Sequence, residues 1–317
     1  MSTRPSQTRI SPLAWVLLAF LALIWGTSFL SNRAALAEAG VLTAVGLRVT
    51  GGAALLWLYV AARRLPVPRD PRYLYRFLIM GALNSAIPFS LIVWGQKHIE
   101  SGLAAILNAS TAVFAVVIAA VVFADERLTL NKVLGVAVGF AGVVLAIGPE
   151  ALAGFSLTSA GQLAVVGASL AYGFAGAYAR RAIRGLGPEV AAAGMLTGGM
   201  VWLVPAMLYI DGVPGFGWSA SVLAGIGWLA FGCSALAYLV YYRILAMAGA
   251  GNLSLVTLLI PPVAIIAGWW VYGERLAWNA WAGFAVLAAG LMLLNRAPRA
   301  KALAPGAKPG DGGAEAG

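Results

Sequence analysis

The chain has 317 residues, of which 61% are apolar and only 10% charged, with a formal net charge of +10. A soluble domain carries about 25% charged residues, so long apolar runs divided by short basic punctuation exclude a soluble globular protein and define a polytopic membrane protein. Lys and Arg sit in the short loops between those runs, which excludes a nucleic-acid binder, and one cysteine, Cys233, excludes an intrachain disulfide and a cysteine-rich metal site.

Arg4 and Arg9 precede the first apolar stretch, Leu13 to Leu30, and Ala35-Leu36-Ala37 resembles a cleavage site. The stretch exceeds the ~7–15 residues of a signal core, so it is predicted to be a retained transmembrane helix. Ten apolar segments follow one another: 13–32, 41–62, 73–95, 102–123, 132–149, 160–180, 189–210, 219–242, 252–272 and 278–295. Each is near the ~20 residues that a spanning helix needs. Pro66-Val67-Pro68 and Gly187-Pro188 cannot continue a helix, and Asp211-Gly212-Val213-Pro214 is turn chemistry. No ~10-residue alternation of period two appears, which excludes a membrane β-barrel. The tail from Pro298 is rich in Ala, Gly, Pro and Lys and is expected to be disordered.

With the N-terminus in the cytoplasm and ten alternating spans, 17 of the 21 cations fall inside. Arg33, Lys97 and Arg275 fall outside, and Arg48 lies within the second span. This asymmetry predicts cytoplasmic termini. Glu126-Arg127-Leu128 returns as Glu274-Arg275-Leu276, an offset of 148 residues, and between Ile118 and Leu145 12 of 28 positions are identical to their counterparts. A unit with an odd number of spans repeats upside down. The predicted fold is therefore an all-α polytopic membrane protein, ten transmembrane helices as two inverted five-helix repeats around a central cavity. The predicted divisions are a cytoplasmic tail (1–12), a first repeat (13–149), a second repeat (150–296) and a disordered cytoplasmic tail (297–317).

These residues resemble a known family. Ten spans, Trp25-Gly26-Thr27-Ser28-Phe29 late in the first, Arg48 in the second, and a Glu-Arg-Leu turn after the fourth span of each half are similar to the drug/metabolite transporter superfamily, EamA type. Within it the chain resembles the YddG-type amino-acid exporters. The resemblance implies export or exchange of small metabolites by alternating access in a bacterial inner membrane, with no cofactor. It also implies that helices 5 and 10 are peripheral while 1, 3, 4, 6, 8 and 9 line the cavity.

None of the 11 carboxylates lies in mid-span. That argues against carboxylate-coupled antiport, because a buried acid in a membrane is costly unless it works. Arg48 is the one charge inside a span. It either attracts a substrate carboxylate through its planar fork or snorkels as a structural ion. Lys97 and His98 mark an outer vestibule or gate, against the reading of a simply solvated histidine. Asn84 lies before Pro88 in the third span, Asn108 lies in the fourth, and Asn252 lies before Pro261-Pro262 in the ninth. Amides there either line a site near interrupted helices or make interhelical hydrogen bonds worth ~0.6 kcal/mol. Trp25, Tyr172 and Tyr238 lie deep on cavity helices of the family and would stack on an apolar substrate, while other aromatics form interfacial belts. Gly135, Gly139, Gly142, Gly283 and Gly290 read as close-packing faces, internal or in a homodimer. Glu126 and Glu274 are expected to cap the helices that follow them.

The expected partners are a small-molecule substrate and the lipid bilayer, for a monomer or homodimer. The expected substrates are neutral or aromatic amino acids. Nucleotide sugars or lipid-linked sugars are the alternative; they carry phosphates and would call for several buried cations. A membrane enzyme would need convergent acids, a metal cluster or a nucleophile with its base, and one histidine, one cysteine and no mid-span acid do not supply them.

Overall fold

The computed structural model describes residues 11–123, 129–148, 156–183, 185–215, 217–253 and 255–294, with the side chains of these apart from residues 157 and 249–252. The described residues form ten apolar helices: α1 (Pro12–Ala35), α2 (Val41–Ala62), α3 (Arg72–Gly95), α4 (Ser101–Val122), α5 (Leu130–Ile147), α6 (Leu157–Ala182), α7 (Pro188–Ile210), α8 (residues 220–253), α9 (Val256–Tyr272) and α10 (Trp278–Leu294). Eight of them have at least 18 residues and the hydropathy to cross a membrane; α9 and α10 are apolar helices of 17 residues. Large apolar side chains remain uncovered on their outer faces, among them Val121 at 82% and Trp270 at 81% exposure. Hydrocarbon around the bundle makes such a surface favourable. The first apolar run is integral to the bundle, since Leu18, Leu21 and Ile24 of α1 are buried.

The end at which α1 begins and α10 finishes is here the near end; the opposite one is the far end. The α1 start is set by Ser11, whose hydroxyl accepts from Ala14 N at 3.2 Å, followed by Pro12. At the far end α9 stops at Gly273, whose φ of 65° is left-handed and suits glycine.

Packing repeats with the order of the halves exchanged. α1 packs on α9 as α6 packs on α4; α1 on α8 as α6 on α3; α2 on α8 as α7 on α3. The α2–α7 and α5–α10 pairs are their own counterparts. α5 and α10 meet backbone to backbone. A Cβ on Gly142 would fall 2.4 Å from Leu287 N, and one on Gly283 2.4 Å from Ala146 N. The glycine stripe thus packs inside the chain, on a helix pair at the side of the bundle.

Matched irregularities occur in α3 and α8. Ala82–Ala86 and Phe231–Leu236 are π-helical turns. One extra residue per turn widens the helix and frees main-chain groups there. In α9 the helix continues through Pro261-Pro262. α4 does break, at Ala109-Ser110, without proline. Ser110 Oγ donates to Leu107 O at 2.6 Å and Thr111 Oγ1 to Asn108 O at 2.7 Å. Such side-chain bonds compete with the helical ladder. α8 runs to Leu253, eleven residues beyond its expected end at 242.

Candidate functional site

The two π turns build a site in the middle third of the bundle. Gly52 of α2 and Gly199 of α7 lie against them. A Cβ on Gly52 would come 2.7 Å from Ser234 Cβ, and one on Gly199 2.9 Å from Ser85 Cβ. The same glycine–serine crossing therefore occurs twice, once per half. At the first crossing Arg48 is buried, 6% exposed, and its Nε donates to Ser234 Oγ at 3.2 Å. Its guanidinium lies 3.9 Å above the Phe89 ring, and Phe89 meets Tyr172 edge-on at 6.4 Å. At the second, Asn84 Nδ2 donates to Tyr238 Oη and to Met195 Sδ, each at 3.0 Å.

Aromatic rings join the two. Trp25 meets Tyr238 at 6.5 Å and Tyr241 at 5.8 Å, and Tyr238 stacks on Tyr242 at 6.5 Å. Trp25 Nε1 donates to Cys233 O, a carbonyl of the α8 π turn, at 3.2 Å. Trp25, Asn84, Tyr172 and Tyr238 each keep partial exposure at this depth. The structure thus brings Trp25, Arg48, Asn84, Tyr172 and Tyr238 together. Asn108 has no contact of this kind with them. It sits at the α4 break, where its carbonyl accepts from Ser169 Oγ at 3.2 Å and its Oδ1 is buried without a partner. Asn252 lies near the end of α8, and its side chain is outside the described residues. Ser234, Met195 and the Cys233 carbonyl were not singled out from the sequence. The signals for them were Thr50-Gly51-Gly52 returning as Thr197-Gly198-Gly199 and Ser85-Ala86 as Ser234-Ala235.

The far end holds a second polar cluster. Glu274 leaves the α9 terminus and its side chain is 5% exposed. It pairs with Arg33 at the end of α1, and accepts from Ser101 N at 3.0 Å and Ser101 Oγ at 2.9 Å. The expectation that Glu274 caps the following helix is corrected: it caps α4, in the other half, because Ser101 opens a helix whose free N–H groups face it. Glu126 and Arg127 lie outside the described residues. Gln96 extends the network, accepting from Asn32 Nδ2 at 2.9 Å and donating to Phe29 O at 2.9 Å and Ser101 Oγ at 3.3 Å. Beside it lies a cavity of about 740 Å³ whose lining includes Arg33, Lys97, His98, Glu100 and Tyr272. Lys97 is exposed, and His98 packs edge-on against Trp94 at 4.8 Å. Glu100 is pushed above the usual carboxylate range by burial and then by the charge of Glu274.

Two further carboxylates tie the halves at this end. Asp211 accepts from Thr43 N at 2.7 Å and Thr43 Oγ1 at 3.0 Å, at the start of α2. Glu38 accepts from Ser219 N at 2.9 Å, just before α8, and bonds from Ser219 hold it below the usual carboxylate range. At the near end two arginines tie the halves among the described residues. Arg76 donates to Ala182 O at 3.1 Å and Arg181 to Val122 O at 3.0 Å, the last residues of α6 and α4.

An apolar bundle of inverted halves with a polar, aromatic middle and polar closures at its ends is the build of a multi-pass membrane transporter. The model of the EamA-like transporter family matches residues 13–148 and 159–296, and the chain belongs to that family. It handles a small-molecule substrate across a lipid bilayer and is not an enzyme. The chain is 27% identical over 296 residues to the uncharacterized transporter YvbV of Bacillus subtilis (strain 168), covering 90% of this chain and 92% of YvbV. It is 29% identical over 293 residues to a probable terminal-alkyne amino-acid exporter of Streptantibioticus cattleyicolor, covering 91% and 95% of the two chains. A crystal structure of a protein superposes with a TM-score of 0.64 at 19% identity, over 89% of this chain and 96% of the other, a likeness of fold.

Proposed function

We propose that this protein exports or exchanges neutral and aromatic amino acids across a bacterial inner membrane by alternating access, with both termini in the cytoplasm and residues 13–149 and 150–296 as the two repeats. The observation that carries the substrate reading is the middle cluster, where one buried cation stands beside a wall of Trp25, Phe89, Tyr172, Tyr238 and Tyr241. Aromatic walls bind apolar side chains at low entropy cost, and a single cation balances one carboxylate but not a diphosphate. The similarity to an amino-acid exporter points the same way. In this reading Trp25, Arg48, Asn84, Tyr172 and Tyr238 serve the substrate, and Asn108, whose Oδ1 is buried at the α4 break, serves the helix. The basic near end is cytoplasmic, and the far-end network is the outer closure, with Lys97 and His98 in its vestibule.

Purified protein in liposomes is expected to exchange radiolabelled phenylalanine for internal unlabelled phenylalanine. Trp25→Ala should cut that flux in protein that still shows a cooperative thermal unfolding in detergent. Flux of nucleotide sugars without amino-acid flux would replace this reading with the phosphate-bearing alternative.

A further inference from the structure

The two glycine–serine crossings are each other's control. Counted at the 147-residue offset of the two Thr-Gly-Gly segments, the position of Arg48 in α2 corresponds to Met195 in α7. Met195 touches the α3 π turn through Asn84, as Arg48 touches the α8 π turn through Ser234. The same crossing therefore packs with an apolar side chain, and packing alone does not call for a cation. A buried guanidinium needs a counter-charge. The ion pair Arg33–Glu274 lies at the far end, and no described carboxylate pairs with Arg48. Beyond Nε, the Arg48 nitrogens donate to no described group, yet they are not among the sealed polar atoms that lack a partner. They are therefore not fully enclosed by protein, in a side chain that is 6% exposed.

A second pole lies close by. Ser234 and Tyr238 are four residues apart on α8, and Arg48 bonds the hydroxyl of the first while Asn84 bonds the hydroxyl of the second. The Asn84 amide spends its nitrogen on Tyr238 and Met195, which leaves Oδ1 as an acceptor, also unsealed. An α-amino acid has its carboxylate and ammonium two bonds apart, and so offers one group to a donor fork and the other to a carbonyl acceptor on the same stretch of α8.

The geometry points to Arg48 as the anchor of the substrate carboxylate and Asn84 as the acceptor for its ammonium, with the side chain against Trp25 and Tyr238. This rests on the amino-acid reading above and adds a pose to it. A site built to bond a group rejects analogues that lack it, because its own polar atoms are then left unpaired. Hydrogen bonds to charged groups correspond to about ten- to hundredfold in affinity.

Affinities of purified protein are measured for phenylalanine, phenylalaninamide (no carboxylate) and 3-phenylpropionate (no ammonium). Wild type is expected to prefer phenylalanine over both by about tenfold or more. Arg48→Met, which copies the other crossing, should lower phenylalanine affinity to that of the amide and leave the amide unchanged. Arg48→Lys should recover part of the preference, since it keeps the charge without the fork. Asn84→Leu should erase the preference over 3-phenylpropionate alone. Equal weakening of acid and amide in Arg48→Met, or unchanged phenylalanine binding, overturns the assignment and makes Arg48 a packing residue. Should wild type ignore phenylalanine but bind another carboxylic acid that Arg48→Met loses, the anchor stands and the amino-acid reading falls. Binding confined to uncharged or phosphorylated solutes overturns both.

Discussion

At the far end three carboxylates reach across the halves to helix N-termini: Glu274 to α4, Asp211 to α2 and Glu38 to α8. At the near end two arginines reach across to helix C-termini, Arg76 to α6 and Arg181 to α4. Both patterns obey the helix dipole, which favours anions at N-termini and cations at C-termini. The inverted repeat makes them complementary, because helices that start at one end finish at the other. The difference lies in burial and titration. Glu274 is nearly sealed and carries a network through Ser101 and Gln96 to Asn32, whereas Arg181 bonds a carbonyl in the open. Carboxylates can be neutralised by protons, and guanidinium groups cannot. Among the described residues, the far end therefore holds the most deeply buried tie, and its ties are made by groups that a proton can neutralise.

The sharpest way to break this contrast is Glu274→Gln. It removes the ion pair and leaves Arg33 and Ser101 with weaker partners. A fully buried pair would cost about 3–5 kcal/mol, and with Arg33 40% exposed the loss should be about 2 kcal/mol. Gly268 lets the carboxylate sit where it does, since a Cβ there would lie 2.4 Å from Glu274 Oε2. Loosening should also show as access. In a Cys233→Ser background, a cysteine replacing Gln96, itself 6% exposed, should react faster with a membrane-impermeant thiol reagent once Glu274 is neutralised. Unchanged labelling and unchanged melting would mean that the network does not close the far end.

How far this was legible in the chain divides along the range of the interactions involved. Ten helices and their order followed from run length and basic loops, because lipid imposes both locally. Arg48 was legible as the one charge inside a span. Its partner Ser234 was not, because the contact joins residues 186 apart and Ser234 is ordinary in an apolar helix. Glu274 was read as a local cap, the default for an acid next to a helix start. Its true partners, Arg33 and Ser101, depend on how α1, α4 and α9 converge. The π turns escaped because no single residue type signals them, and the prolines of α9, which suggested an interruption, lie in a helix that continues through them.

A smaller effect sharpens the comparison between ends. Arg181→Met at the near end removes one exposed bond to Val122 O, worth about 0.5 kcal/mol or less. Asp211→Ala at the far end strips the cap from the α2 start and should cost about 1 kcal/mol. Thermal unfolding of both in one detergent tests the ranking; a larger loss for Arg181→Met would reverse it.

The smallest effect is in the slope of stability against pH, and it should carry opposite signs at two far-end acids. Glu100 has its folded pKa raised, by burial first and by Glu274 second. The folded state thus holds the Glu100 proton more firmly than the unfolded chain does. Its contribution is fully present below the unfolded value and is lost as pH rises through the raised one. Glu38 is held low by Ser219, so its contribution is present above the unfolded value and is lost as pH falls through the lowered one. Melting temperatures across acid to neutral pH should show Glu100→Gln flattening the decline on the alkaline side of the carboxylate range. Glu38→Gln should flatten the rise on the acid side. Arg76→Met and Arg181→Met should displace the whole curve and leave its shape alone, because guanidinium groups stay charged throughout. A changed slope in either arginine variant, or none in Glu100→Gln, would remove the titration contrast between these two sets of ties.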